Sequence, residues 1–202
     1  YIGLGSLYVY GYGVEADPEK GIEFYTKALD SEDWLIRNNA RVSIGRAYNL
    51  GEGGLQPDYE KAREMYRAAA DEGNSSGCQG MGYLYDYGNG VEQDYVQAAG
   101  WYQKAADAGK PVNYGIMFYE GLGVVQNYER AIGIFEYAAS GATKDSLWGM
   151  KVLAQAYRDG RGVERDPEKA IMWARKTIEA AGSGDQDAVE EAMQVLKDLG
   201  AE

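Results

Sequence analysis

Histidine is absent from the 202-residue chain, and cysteine occurs once, as Cys78. Without imidazole, the chain lacks the most common general base, the base of a Ser-His-Asp triad and the commonest metal ligand. A single cysteine cannot form a disulfide within the chain, which fits a reducing compartment and also many periplasmic proteins. We therefore expect no catalytic residue, no metal site and no cofactor.

Positive charge is also scarce, because 20 Lys and Arg stand against 32 Asp and Glu, for a formal net charge of −12. Such a surface repels phosphate backbones, so no nucleic acid partner is expected. No apolar run approaches the roughly 18 residues of a membrane-spanning helix, so no membrane insertion is expected. A basic protein partner would be favoured, although the acidity would also serve solubility alone.

Glycine, in contrast, is frequent and regularly placed. Its 28 residues include five Gly-x-Gly units whose second glycines lie 33 to 40 residues apart, which indicates a solenoid of repeats. The units are Gly11–Gly13, Gly51–Gly53, Gly88–Gly90, Gly121–Gly123 and Gly160–Gly162. Each follows a predicted helix A, in which an apolar residue precedes an aromatic by four positions, on one helical face.

A further glycine comes directly after that apolar residue in four of the five units. These glycines are Gly5, Gly45, Gly82 and Gly115, whereas the fifth unit has Ala154. A glycine inside a helix costs about 1 kcal/mol relative to alanine. Its repetition therefore predicts that a neighbouring helix approaches too closely for a side chain.

A second helix, B, is predicted after each Gly-x-Gly unit. It begins at an Asp or Asn suited to the N-cap position and carries apolar residues at i, i+3, i+4 and i+7. The cap residues are Asp17, Asp58, Asp94, Asn127 and Asp166. The resulting repeats cover about 1–38, 39–75, 76–109, 110–146 and 147–184. The tail 187–202, with Val189, Met193, Leu196 and Leu199 at helical spacing, is predicted to be a capping helix.

The unit "MGYLYDYGNGVEQDYVQAAGWYQKAADAG", Met81 to Gly109, resembles the Sel1-like repeat, a relative of the tetratricopeptide repeat. The resemblance covers five units and nearly the whole chain. It implies an all-α fold, a right-handed α-solenoid of five Sel1-like helix-pair repeats with a C-terminal capping helix and A helices on the concave face. It also implies protein-binding or adaptor roles, of the bacterial type, with the periplasm, cell envelope or secretion favoured over the cytoplasm. We expect a monomer or weak oligomer.

Four places depart from the repeat pattern. The first repeat continues through "LDSEDWLIRNN", which predicts a longer helix or a linker, and the second inserts one residue in "GEGGLQPD". The fourth is short before its helix A, so either that helix starts late or residues are missing around Gly109–Gly115. The fifth has Ala154 and Ala174 where the pattern has Gly and Tyr. The chain begins with Tyr1 inside a predicted helix, which leaves an upstream segment and a cleaved signal open.

The candidate binding residues lie on helix A at the second, fifth and sixth positions after the apolar residue. They are Tyr10, Arg46, Asn49, Leu50, Tyr83, Asp86, Tyr87, Ile116, Tyr119, Glu120, Arg158 and Asp159. Several are large and apolar where a solvated helix would carry charge, and tyrosine-rich surfaces suit protein recognition. The alternative is that neighbouring A helices bury part of these rows, as solenoid neighbours do.

These features favour a non-catalytic scaffold or adaptor that binds a protein or peptide on its concave face. One alternative is an immunity-type inhibitor of a bacterial toxin or effector. Another is a hydrolase that acts through carboxylates, although the clusters at Asp30, Glu32 and Asp33 and at Glu190 and Glu191 are better read as solvated faces. The Gly-x-Gly units follow helices rather than strands, which argues against a dinucleotide loop or a P-loop.

Overall fold

The computed structural model describes residues 1–141, 144–182 and 184–201. Within these residues the chain forms α-helices and one short 3-10 helix and no strand, so the all-α prediction is confirmed. The helices are α1 (Ile2–Tyr10), α2 (Pro18–Ala28), α3 (Trp34–Leu50), α4 (Tyr59–Asp71), α5 (Ser75–Tyr87), α6 (Tyr95–Asp107), α7 (Val112–Glu120), α8 (Tyr128–Ala139), α9 (Lys144–Asp159), α10 (Pro167–Ala181) and α11 (Gln186–Asp198), and the 3-10 helix is Glu52–Gly54.

The helices belong to two compact units, Tyr1–Lys110 and Pro111–Glu202. The first unit holds the pairs α1–α2, α3–α4 and α5–α6, and the second holds α7–α8 and α9–α10 followed by α11. In every pair the odd-numbered helix is the predicted helix A and the even-numbered one is helix B.

Each pair is closed by the same connection between its two helices. Helix A ends at the first glycine of the Gly-x-Gly unit, where φ is between 64° and 74° in all five repeats, a left-handed conformation that suits glycine. The Asp or Asn that follows caps helix B, as predicted, since its side chain accepts a bond from a first-turn amide. Its own amide donates to the carbonyl of the helix A aromatic at 2.8 to 3.0 Å. One residue therefore joins the two helices.

A basic side chain lies on the helix A aromatic in four repeats. The pairs are Lys20 on Tyr8 at 4.2 Å from the ring centroid, Lys61 on Tyr48 at 4.8 Å, Arg130 on Phe118 at 4.2 Å and Lys169 on Tyr157 at 5.0 Å. Gln97 has this place in the third repeat. An exposed cation–π contact of this kind contributes about 0.5–1 kcal/mol. This contact explains why Lys or Arg recurs at this position of helix B.

The glycine that recurs inside helix A lies against the aromatic ring of helix B. A Cβ at Gly82 would overlap the ring of Tyr102, and one at Gly115 would come within 2.6 Å of Phe135. Gly5 and Gly45 meet Tyr25 and Tyr66 in the same way. The predicted close approach of the helices is confirmed. In the fifth repeat Ala154 and Ala174 both lie in the buried core. The repeat that has alanine in place of the helix A glycine thus also has alanine in place of the helix B aromatic residue.

Three of the departures from the repeat pattern now have structural explanations. The stretch "LDSEDWLIRNN" forms a turn after α2 and then the start of α3, which is 17 residues long. The insertion in "GEGGLQPD" forms the 3-10 helix Glu52–Gly54. Helix α7 begins at Val112 and has nine residues, as expected for the alternative of a late start.

Helix α11 packs against α9 and α10 through small and aliphatic residues. Ala188, Ala192, Val195 and Leu196 are buried, whereas Met193 is 53% exposed. Of the four apolar residues that suggested this helix, only Leu196 is buried, because alanines occupy much of the contacting face. Lys151 and Gln155 of α9 hold Glu191, at 3.0 and 2.9 Å.

A carboxylate in the first unit joins the start of α3 to the end of α4. Glu72 accepts hydrogen bonds from Arg37 at 2.9 Å, Asn38 at 2.9 Å and Arg41 at 2.6 Å. These side-chain bonds, first from Arg37 and then from Arg41, lower the pKa of Glu72 from 4.5 to about 2. The ionised form is therefore the one that the fold stabilises.

We expect the stability contributed by Glu72 to depend on pH. Because the folded pKa lies below the unfolded one, the contribution is complete above about pH 5 and is lost as the pH falls toward 2. Thermal unfolding of the wild type and of Glu72→Gln should differ at neutral pH and converge below pH 3. Glu64→Gln, on an exposed position of α4, should follow the wild type throughout. A constant gap between wild type and Glu72→Gln would contradict the assignment.

Candidate binding groove in the first unit

The middle residue of the Gly-x-Gly unit reaches back to helix A of the preceding repeat. In the first unit Asn89 donates to the side chain of Asn49 at 2.9 Å. Glu52 accepts from the hydroxyl of Tyr10 at 2.6 Å. In the second unit the guanidinium of Arg161 lies over the ring of Tyr119, at 5.8 Å from its centroid. This variable position therefore makes a lateral contact between consecutive repeats.

Two predicted site residues, Tyr10 and Arg46, are held by Glu52. The guanidinium of Arg46 pairs with the Glu52 carboxylate at 3.1 Å and also donates to the Tyr10 hydroxyl. Burial, and then the bond to Glu52, raises the pKa of Tyr10 to about 12, so the phenol remains protonated as a donor. Half of the Arg46 side chain remains exposed. Glu52 and Tyr10 therefore hold the Arg46 guanidinium in place, while the side chain remains partly accessible to solvent.

A cavity of about 600 Å³ lies between the A helices of the second and third repeats. We call it the α3–α5 groove. Its lining residues are Val42, Arg46, Asn49, Leu50, Tyr66, Ser76, Gln79, Gly80, Tyr83, Tyr87, Asn89 and Lys110. Gly80 is in contact with the ring of Tyr66, and any Cβ there would overlap that ring. The volume lies within the range of about 300–1,000 Å³ that ligand pockets typically have.

Aromatic and aliphatic side chains form the exposed part of the α3–α5 groove. Tyr87 is 67% exposed, Leu50 is 61% exposed and Tyr83 is 36% exposed. The Tyr83 ring packs edge-on against the buried ring of Tyr102, with centroids 5.9 Å apart, and lies 6.0 Å from Tyr87. Because Tyr102 holds the Tyr83 ring in place, an apolar group of a partner would meet a preorganised surface.

The other two predicted residues of the first unit are less accessible. Asn49 is buried and bonded to Asn89. Asp86 accepts a hydrogen bond from the Tyr102 hydroxyl at 3.0 Å, and burial raises the pKa of its carboxyl group. Asp86 does not line the groove. Five of the seven candidate residues of the first unit thus line one groove. Tyr10 does not line it but accepts a hydrogen bond from Arg46, which does.

The five candidates of the second unit have mixed environments. Tyr119 is only 8% exposed and packs on Tyr128 and Phe135. Arg158 is paired with Asp159 and with Asp198 of α11, both at 2.7 Å. Ile116 is half-buried, whereas Glu120 and Asp159 are exposed. Tyr119 presents little surface, and the charge of Arg158 is already balanced.

Sequence reasoning did not single out several groove residues. Tyr66 belongs to helix B, where it occupies the i+4 position of the apolar pattern that starts at Ala62, and its ring is buried. Ser76, Gln79 and Gly80 lie one or two turns before Tyr83 on α5, so extending the helical row toward the N-terminus would have found them. Lys110 lies between α6 and α7, where no periodic pattern exists to reveal it.

The described part of the chain offers little other chemistry. Among the side chains that the structure describes, no three or more Cys, Asp or Glu residues are placed to hold a metal ion. Cys78 is buried, and this burial raises the pKa of its thiol, which lowers its reactivity. Among the described helices, none combines the length and the apolar character needed to span a bilayer.

The fold and the groove together define a helix-pair repeat protein of the α-solenoid class. The model of the Sel1 repeat matches residues 1–33, 39–74, 75–110, 112–142 and 149–181. Because these matches cover most of the chain, the protein belongs to the Sel1 repeat family, and the resemblance noted in the sequence is confirmed.

Two solved structures are similar over almost the whole chain. A Sel1 repeat protein from Oxalobacter formigenes is 31% identical with a TM-score of 0.76, and the match covers 99% of this chain and 79% of that one. A protective antigen of uropathogenic Escherichia coli is 30% identical with a TM-score of 0.72, covering 98% and 40%. Both share the repeat fold.

Among curated relatives, chitin synthase regulatory factor 3 of Schizosaccharomyces pombe is 30% identical over 110 residues. The match covers 54% of this chain and 11% of that protein. The chain therefore spans about a tenth of the length of this relative.

Proposed function

We propose that the protein is a non-catalytic interaction module that binds a protein or peptide partner in the α3–α5 groove. Sel1 repeat proteins generally mediate protein–protein interactions, and the family assignment supports this general role. The finer proposal, that the groove is the binding surface, is supported by Tyr83, Tyr87 and Leu50. All three are exposed around one cavity of about 600 Å³.

The physical argument concerns what these side chains gain on binding. Large apolar side chains left in water at a concave site release more free energy when covered than scattered ones, because a partner can bury several at once. Tyrosine also offers a hydroxyl and loses little conformational entropy. No contact among the described residues favours a toxin inhibitor or a hydrolase over this role.

The tyrosines can be tested directly with a double variant. We expect Tyr83→Ala/Tyr87→Ala to reduce the capture of partner proteins from a lysate of the native host at least about tenfold, since hot-spot tyrosines each contribute about 2 kcal/mol. Captured proteins would be quantified by mass spectrometry. The control is Tyr1→Ala/Tyr137→Ala, which removes two tyrosines outside the groove that are at least as exposed as Tyr83 and Tyr87.

Thermal unfolding of both double variants separates binding from folding. Tyr87 is largely exposed and Tyr83 is partly exposed, so the groove variant should unfold within a few degrees of the wild type. If the groove variant loses stability and capture together, the two tyrosines belong to the core. If the control loses capture as well, the groove is not the binding surface.

A further inference from the structure

The charge of the α3–α5 groove has the opposite sign to that of the chain. Its lining includes two cations, Arg46 and Lys110, and no Asp or Glu. The chain as a whole has a formal net charge of −12. At physiological salt, charges further away than about 8 Å are largely screened. Asp86 acts on Tyr87, but it lies seven residues along α5 from Gln79, or about 10 Å, so a group bound beside Lys110 responds mainly to the lining.

The two cations of the groove are not equivalent. Arg46 shares its charge with Glu52, at 3.1 Å, and so contributes mainly as a hydrogen-bond donor. Lys110 takes part in none of the ion pairs found among the described residues, and its ammonium lies 3.5 Å from the side-chain oxygen of Gln79. A neutral amide at this distance does not balance a full charge. Lys110 therefore gives the groove an uncompensated positive charge.

We propose that the groove binds an acidic peptide segment, with a carboxylate at Lys110 and an apolar or aromatic side chain against Tyr83, Tyr87 and Leu50. This inference rests on the proposed function and specifies the chemistry of the partner. It differs from the basic partner expected from net charge, because the lining rather than the distant surface determines the local preference.

The spacing of the two contacts follows from α5. Gln79, which marks the Lys110 end, and Tyr87, at the other end, are eight residues apart on this helix. At 1.5 Å per residue they are separated by about 12 Å along the groove. An extended peptide covers this distance in about four residues. The partner segment therefore carries its carboxylate and its apolar side chain about four residues apart, or two turns apart if it is helical.

Synthetic peptides test this chemistry without a known partner. The probes are fluorescein-labelled ten-residue peptides that carry Glu and Trp four residues apart, in both orders, and matched peptides with Lys in place of Glu. Binding to the full chain would be measured by fluorescence anisotropy at low and at physiological salt. We expect the Glu peptides to bind at least about tenfold more tightly than the Lys peptides, and more weakly as salt is added.

Two charge-reversal variants locate the effect. Lys110→Glu should weaken the binding of the Glu peptides about tenfold or more and reduce the salt dependence of that binding. Lys197→Glu makes the same change in net charge at an exposed position of α11, far along the sequence from the groove, and should leave binding unchanged. Both variants should unfold at the wild-type temperature.

The results that would overturn the inference are distinct from failure of the proposed function. Equal or tighter binding of the Lys peptides, equal effects of the two charge reversals, or no peptide binding at all would overturn the acidic preference. Full displacement of the Glu peptides by millimolar inorganic phosphate would show a site for small anions instead. The groove as a protein-binding surface would still be decided by the tyrosine variants and lysate capture.

Discussion

Gly82→Ala should destabilise the third repeat strongly, and a second substitution at Tyr102 should remove much of that effect. A Cβ at position 82 would overlap the Tyr102 ring, which is 1% exposed, packs against Tyr83 and donates a hydrogen bond to Asp86. Overpacking a core in this way costs about 1–3 kcal/mol. Tyr102→Ala alone leaves a cavity and should cost about 3–5 kcal/mol.

The combination should cost less than the sum of the two single changes, because the new methyl group then enters the space left by the ring. The fifth repeat already has this arrangement, with Ala154 and Ala174 both fully buried. Denaturant unfolding of the four proteins gives the coupling energy, which we expect to be about 1–3 kcal/mol in favour of the double variant.

Gly100→Ala is the matched control on the neighbouring helix. A Cβ at this exposed position of α6 would meet no atom within 4 Å. Alanine should therefore stabilise the helix by up to about 1 kcal/mol through propensity alone. Strict additivity of Gly82→Ala and Tyr102→Ala would mean that the glycine is required for some reason other than the ring.

The second large effect is expected at α11, where Val195→Asp should detach the helix from α9 and α10. Val195 is 1% exposed, so the substitution would place a carboxylate without a partner in the core of the second unit. Substitutions of this type cost more than about 4 kcal/mol. We expect a large fall in the unfolding temperature and early cleavage between α10 and α11 in limited proteolysis.

Met193→Asp provides the comparison on the same helix. Met193 is half exposed, so its replacement should change stability by less than about 0.5 kcal/mol. Similar losses in both variants would indicate that α11 tolerates no added negative charge, because Glu190, Glu191 and Asp198 already crowd it. In that case burial of Val195 would not be the cause.

Local chemistry explains why the architecture could be predicted from the sequence. The cap residues, such as Asp94, and the helix-ending glycines, such as Gly88, are determined by backbone hydrogen bonds within a few residues. The glycine at position 82 could be interpreted because its cost inside a helix requires a compensating contact. These features repeat, so five copies reinforced one interpretation.

The accessibility of the candidate residues depended on neighbours that one helix cannot reveal. Tyr119 and Asn49 share the fifth position after the apolar residue, about 140° around helix A, and both are buried. Tyr87 and Leu50 share the sixth position, at about 240°, and both are exposed. The repeated glycine, at about 100°, faces helix B, so the fifth position lies only about 40° from that contact. This angle was available in the sequence and would have separated the two rows.

The position of Lys110 could not be derived in this way, because it lies in a connection without periodicity. Its placement beside Gln79 depends on the turn that follows α6, where Gly109 has a φ of 93° and the Lys110 amide bonds to the carbonyl of Ala105 at 2.8 Å. The positive charge of the groove therefore comes from a loop residue, whereas its apolar side chains come from the helices.

The lateral contacts of the Gly-x-Gly middle residues mean that the repeats are not interchangeable copies. Glu52 fits a tyrosine and an arginine, and Asn89 fits an asparagine, so transposing two repeats would bring unmatched groups together. The middle residue of the Gly-x-Gly loop thus determines which repeat can precede its own, and the packing of the helical core does not constrain the identity of this residue. Grafting a repeat into another array of this type would require that residue to be transferred together with the surface it recognises.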